Sequence, residues 1–176
     1  VVGHKYADLS DHDNGVALLN DCKYGYMVHD NLLDLNLLRS PTNPDPDADK
    51  GSHSFTYSLF PHKNGLIHSD VINEASCLNQ NPILFDGVSG KPKIPLALNG
   101  EGLELSVLKK AEKEDAWIIR IIETHGRVSS GSLELSGEIA ECDLMEWKEL
   151  SEREMVSGSL DIKLNPFEIK TFKLFC

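Results

Sequence analysis

Apolar residues recur along this chain at every second position, a period that belongs to β-strands. Phe55, Tyr57 and Leu59 alternate with Ser54, Thr56 and Ser58. Leu133 and Leu135 alternate with Ser132, Glu134 and Ser136, and Leu160, Ile162 and Leu164 alternate with Asp161 and Lys163. Each run reads as a half-buried strand with one apolar and one wet face. From Trp117 to Ile122 both faces are apolar except at Arg120, which marks a strand lying deep in a sandwich. Turn signals separate the runs. Asp30-Asn31 stands between Tyr26-Met27-Val28 and Leu32 to Leu38 and predicts a hairpin; Gly90, Asn99-Gly100 and Gly158 mark further turns. One segment departs from the period. Val71, Ile72, Ala75 and Leu78 recur at helical spacing, with Ser69 or Asp70 available as a cap and Pro82 beyond the end. The pattern as a whole predicts a mainly β chain: an antiparallel β-sandwich with one short helix, residues 1–176 forming one sandwich portion without internal repeats.

The longest irregular stretch runs from Ser40 to Asp49 and carries Pro41, Pro44 and Pro46. Prolines at that density prevent both helix and ladder pairing, and a long loop in a compact domain is often functional. Asp45, Asp47 and Asp49 invite a calcium reading. An EF-hand loop needs glycine directly after the third acid and glutamate at its last position. Here Lys50 follows Asp49, Gly51 comes one residue late, and Thr56 stands where the glutamate belongs. The competing readings are a solvated acidic tip and a loop reaching a substrate held by another domain, where aspartates accept well from sugar hydroxyls.

Other chemistry is sparse. His62 and His68 flank a glycine-containing turn with no third ligand nearby, and His12 lies in a polar loop. None has the spacing of a metal motif, so they read as surface or structural histidines. Glycoside cleavage needs two carboxylates about 5 to 10 Å apart, and sequence cannot select such a pair from 28 acids. No nucleophile elbow, phosphate loop or dinucleotide fingerprint occurs. The run Lys109 to Asp115 reads as a solvated strand connection. Asn20-Asp21-Cys22-Lys23 reads as a structural strand end in which Asp21 and Lys23 satisfy backbone groups and each other. The net charge of -11 argues against nucleic acid and anionic membrane as partners. Cys22, Cys77, Cys142 and Cys176 are scattered without a Cys-x-x-Cys pair, so the expectation is free, mostly buried thiols in a reducing compartment. The opening Val1-Val2-Gly3 falls in mid-pattern, which reads as a piece of a longer protein.

More specific are two segments near the start. His4-Lys5-Tyr6-Ala7-Asp8-Leu9-Ser10 is followed by Gly15-Val16-Ala17-Leu18-Leu19-Asn20-Asp21-Cys22-Lys23-Tyr24-Gly25. Together they resemble the start of the C-terminal region of cytosolic and bacterial family 38 α-mannosidases. The resemblance continues through Leu37 to Pro41, Pro44-Asp45, Ala48-Asp49, Gly51, His53, Phe55, Tyr57 and Pro61-His62. It then takes in Val71-Ile72, Ala75, Leu78-Asn79 and Pro82, and later Val107 to Lys109, Ile119-Arg120, Glu123 and His125-Gly126. The closing run Pro166 to Leu174 is nearly the family's own ending.

The resemblance implies a retaining, exo-acting α-mannosidase for terminal α-mannosides of oligosaccharides, located in the cytoplasm. Its catalytic Asp nucleophile and its zinc-type divalent metal, bound by His and Asp, would lie upstream in an N-terminal α/β barrel followed by a helical bundle. This chain would then be the later part of a large β-sandwich (supersandwich) region. It would hold no catalytic residue, metal site or cofactor, pack on the barrel and bundle, and be inactive alone. The pocket-loop candidates are Asp47, Asp49, Lys50, Gly51 and His53, since in Golgi and lysosomal relatives a similar loop reaches the substrate. Two departures stand out: Tyr6 replaces a usual Trp, and Lys50 replaces a frequent Arg, keeping the charge without the bidentate fork. The rival readings are an autonomous carbohydrate-binding module, which aromatic residues at 7% of the chain support poorly, and a domain that forms a homo-oligomer.

Overall fold

The computed structural model describes residues 1–84, 86–87 and 96–175. The chain divides into two units, Val1–Val88 and Ser89–Cys176. Every strand pairing in both is antiparallel.

In the first unit, β1 (Tyr6–Ser10), β2 (Asn14–Asn20) and β5 (Tyr57–Lys63) form a three-stranded sheet in the order β1-β2-β5. β3 (Tyr26–His29) and β4 (Leu32–Leu35) form the hairpin expected at Asp30-Asn31, with Asp30 at positive φ; β4 stops at Leu35, short of the expected Leu38. A 3-10 turn, Leu66–His68, leads into α1 (Val71–Asn79). The helix buries Val71 and Ala75 against Ala17 and Leu19, with Tyr6, Phe60, Leu66 and Leu78 packed around them. Of the two cap candidates, Ser69 supplies the acceptor, its Oγ taking the Val71 N–H at 3.4 Å; Asp70 makes no side-chain cap bond.

The alternation around Tyr57 was correct in type and wrong in facing. Leu19 pairs with Ser58, and Leu18 with Leu59. Residues directly paired across strands share a face. Leu19 faces α1, so Ser58, Phe60 and His62 do too, while Tyr57 and Leu59 turn outward at 55% and 66% exposure. Phe55 lies outside the strand.

In the second unit the sheet runs β10-β9-β11-β8-β7. Its strands are β7 (Leu103–Lys110), β8 (Trp117–Glu123), β9 (Ser129–Cys142), β10 (Glu154–Leu164) and β11 (Ile169–Phe175), and a short β6 (Ala97–Asn99) joins β9. β9 is long enough to serve two neighbours on one edge, β6 over Ser132 to Glu134 and β11 over Glu138 to Cys142, while β10 takes the other edge. Ile119, Ile121, Leu133, Leu135, Ile139, Ile162, Leu164, Phe172 and Leu174 form the core. Ile118 points the opposite way from Ile119 and is equally inaccessible, so β8 is buried on both faces, as its sequence requires. Two connections line that second side. Arg120 Nη2 donates to the Leu144 carbonyl and to Glu146 Oε1, both at 3.0 Å, and Lys173 pairs with Glu114.

Three expectations change. Gly158 sits inside β10 rather than in a turn, opposite Leu135 with open space around it, at a φ of 119° that glycine permits within the strand. Cys22 and Cys77 are exposed and only Cys142 is buried among the described cysteines, because the first two lie on a turn and on the outer side of α1. Burial pushes the Cys142 thiol up to about 11. The connection after β7 is shorter than the run Lys109 to Asp115, since Lys109 and Lys110 still pair with β8. Gly90 and Cys176 lie outside the described residues. No helix of the described residues is long and apolar enough to cross a membrane.

Candidate functional site

Residues 36–56 connect β4 to β5 in the first unit, and their backbone is shaped by their own polar side chains. Asp45 Oδ1 accepts the Asp47 N–H at 2.9 Å, an Asx turn. The Asp45 and Asp47 carbonyls then accept from the Ala48 and Lys50 N–H groups at 3.4 and 3.0 Å. Pro44 follows a cis peptide bond. With proline at 41, 44 and 46 no ladder can form, so short turns satisfy the backbone instead.

Asp49 is the hub. Its Oδ2 accepts the Ser40 N–H at 2.5 Å across the base of the loop. Its carbonyl lies 2.9 Å from His53 Nε2, and since a carbonyl only accepts, that nitrogen carries the hydrogen. Asp47 is ion-paired with Lys50 at the surface. Gly51 has a φ of 126° and nothing within 4 Å of where a Cβ would stand, so it forms a bare, left-handed apex. The loop therefore brings Asp47 to Lys50 and Asp49 to His53, and leaves Gly51 without neighbours. Asp49 is half-buried; the other four candidates are exposed.

A second anchor holds the C-terminal root. Asp21 Oδ1 accepts the Thr56 N–H at 3.0 Å, and the Thr56 carbonyl accepts the Asp21 N–H at 3.2 Å. The Cys22 thiol and then the Thr56 N–H, both donating, hold the Asp21 carboxyl below its ordinary range; the same carboxylate pushes the Cys22 thiol up. Asn20 Oδ1 accepts from the Cys22 and Lys23 N–H groups at 3.1 and 2.5 Å. The Asn20 to Lys23 motif is thus structural, as expected, but its work is divided differently: Asn20 and Asp21 satisfy the backbone, and Lys23 lies over the Phe55 ring at 5.1 Å. Beside these anchors is an open depression lined by Cys22, Lys23, Tyr24, Leu37, Arg39 and Asp49, among others. It offers one carboxylate, two cations and a half-exposed aromatic ring, a set suited to polar, hydroxyl-rich ligands. Sequence reasoning missed Arg39 and Tyr24 as residues that line the same depression as Asp49. No local signal marks them, because the hairpin of β3 and β4 folds them together.

Among the described residues, no three His, Cys, Asp or Glu side chains converge as a metal site would require. The calcium reading of Asp45, Asp47 and Asp49 therefore has no geometry behind it: these side chains turn to Asp47 N–H, Lys50 and Ser40 N–H respectively.

An all-antiparallel chain with one short α-helix among its described residues, and with its charged loop outside the sheets, is a β-sandwich type of domain. The description "Glycosyl hydrolases family 38 C-terminal beta sandwich domain" matches residues 102–172, and "Glycosyl hydrolases family 38 C-terminal domain" matches residues 1–47. Alpha-mannosidase G of Dictyostelium discoideum is 40% identical over 98% of the chain, and alpha-mannosidase 2C1 of Homo sapiens is 34% identical over 99%. An alpha-mannosidase of Saccharomyces cerevisiae is 32% identical over 99%. The chain spans only 17% to 19% of the length of these relatives. A solved α-mannosidase from Enterococcus faecalis V583 superposes with a TM-score of 0.63 over 99% of this chain and 21% of its own, at 14% identity, a likeness of fold. The chain belongs to glycosyl hydrolase family 38, within its C-terminal β region.

Proposed function

We propose that this chain is the C-terminal, non-catalytic β region of a retaining exo-α-mannosidase that removes terminal α-mannosides from oligosaccharides in the cytoplasm. The observation that carries the reading is similarity over 98% to 99% of the chain to relatives named α-mannosidases. The nucleophile and the zinc-type divalent metal belong to the catalytic barrel of the larger enzyme. In this reading no residue of the chain serves as a ligand of that metal. The chain packs on the barrel and helical bundle, and the loop from Asp47 to His53 borders the sugar pocket. In this role Asp49 braces the loop through Ser40 and His53 while lining the adjacent depression. Homo-oligomer formation belongs to the same proposal.

A p-nitrophenyl α-mannoside assay on the larger enzyme and on this chain, each with added divalent metal, tests the assignment. The expected result is an active enzyme and a silent chain; a metal-dependent rate from the chain itself would overturn it. Asp49→Ala in the larger enzyme, followed by kinetics and a melting curve, tests the loop. A raised KM with no more than a modest drop in melting temperature supports contact with the sugar pocket. Unchanged kinetics in a stable variant ends that role.

A further inference from the structure

The first unit hides an ion pair on the α1 side of its sheet. Asp8 of β1 and His62 of β5 are separated by the central strand β2, yet His62 Nε2 lies 2.8 Å from Asp8 Oδ1, with side chains only 4% and 6% exposed. Ser10 Oγ donates to the other Asp8 oxygen at 2.5 Å. The bridge passes over Gly15, which pairs with both Ser10 and His62. A Cβ there would stand 2.4 Å from Ser10 Cβ and 2.5 Å from His62 Cε1, distances that side-chain atoms do not adopt. Glycine at 15 is therefore what lets the two outer strands reach each other.

The ring's partners fix its protonation. His62 Nδ1 lies 3.3 Å from the Lys63 carbonyl oxygen. A carboxylate and a carbonyl both accept, whereas a neutral imidazole has only one donor nitrogen. Only the imidazolium donates at both ends. Burial pulls the ring down, but the bond and charge of Asp8 and the backbone at Lys63 and Asn64 outweigh it, leaving the pKa above the ordinary histidine value. Among the described residues, Asp8 from β1 is the one charged side chain bonded to the ring. β2 presents Gly15, α1 brings Val71 and Ala75 to this face of the sheet, and on β5 the Phe60 ring stacks at 6.1 Å.

We propose that Asp8, Gly15 and His62 form a proton-dependent clasp that ties β1 to β5 while His62 is charged and loosens when the ring loses its proton. The clasp lies at the end of β5 away from the candidate loop, whose root is held separately by Asp21. The direction follows from linkage. A group whose folded pKa is raised adds stability that is complete below its unfolded pKa and is lost as pH rises through the folded one. Ring-nitrogen NMR of the 15N-labelled chain between mildly acidic and alkaline pH, with His62→Gln for assignment, tests it. The expected result is a His62 ring protonated at both nitrogens at neutral pH, with a midpoint above the ordinary histidine value. Urea stability should fall across the same interval, and Asp8→Asn should lower the midpoint. A neutral ring at pH 7 would overturn the proposal, as would a pH dependence of stability that His62→Gln leaves unchanged. Should that variant fail to fold, assignment through Asp8→Asn and the titration of the unaltered chain decide the matter.

Discussion

Charge is handled in opposite ways in the two regions that carry most of the polar architecture. In the second unit, Glu123 and Lys173 are buried among strands, and each has a partner far away in sequence, Phe167 and Glu114 respectively. In the 36–56 connection, charged side chains stay at the surface and bond within a few residues of themselves, Asp49 with Ser40 being the longest span. The first arrangement fixes a core, because each removed partner leaves an unsatisfied group away from water. The second shapes a backbone while leaving its apex free, which suits a loop that closes against something else. Changes to the two regions should therefore differ in size and in kind.

The largest effect is expected at Glu123, which is completely inaccessible. Its carboxylate accepts from the Phe167, His125 and Gly126 N–H groups at 2.9, 2.9 and 2.8 Å and from Ser129 Oγ at 3.0 Å. It thereby joins the end of β8, the turn after it and the turn before β11. Glu123→Ala orphans these donors together and should cost about 3 to 5 kcal/mol in a urea titration. That is a large part of a domain's total stability. Burial pushes this carboxyl up, yet the donors outweigh it and the pKa is lowered. Its contribution is then present above the unfolded carboxylate value and lost as pH falls through the folded one. Acid should weaken the second unit through Glu123, whereas alkali should weaken the first through His62.

Lys173 comes next. It is 4% exposed and paired with Glu114 from the β7–β8 connection. Glu114→Ala strands a buried cation and should cost about 2 kcal/mol. Lys173→Met removes the charge with its need for a partner, so it should cost much less or even stabilise. Equal losses from both variants, measured by urea unfolding, would mean that packing of the lysine stem rather than charge pairing matters there.

These contrasts also show what the sequence could and could not display. β8 was readable because Ile118, Ile119 and Ile121 leave no polar face to offer solvent, and α1 because Val71, Ala75 and Leu78 share a helical face. Tyr57 and Leu59 misled for a physical reason. Alternation defines two faces but not which one is covered, and the packing of Leu19 on α1 decided it through register. Glu123 looked like any strand-end acid, because its Phe167 donor is brought beside the local donors His125, Gly126 and Ser129 only by β11 pairing with β8. The loop candidates were found as residues, while their division of labour depended on the Ser40 contact, which no spacing announces.

The smallest effects should fall in the loop, and there the two aspartates separate. Asp47 and Lys50 are 66% and 74% exposed, so their pair is screened and Asp47→Ala should change stability by less than about 0.5 kcal/mol. Asp49→Ala removes the acceptor of the Ser40 N–H and should cost about 1 kcal/mol, since water can partly replace a half-buried bond. If Asp49 only braces the loop, Asp49→Asn, whose amide oxygen can still accept that N–H, should restore both stability and the kinetics of the larger enzyme. If the carboxylate also meets the sugar, stability returns with Asp49→Asn and KM does not. Urea unfolding paired with KM in the same three variants therefore separates a brace from a contact, and a loss of 3 kcal/mol or more at Asp49 would place this loop with the buried network of Glu123 instead.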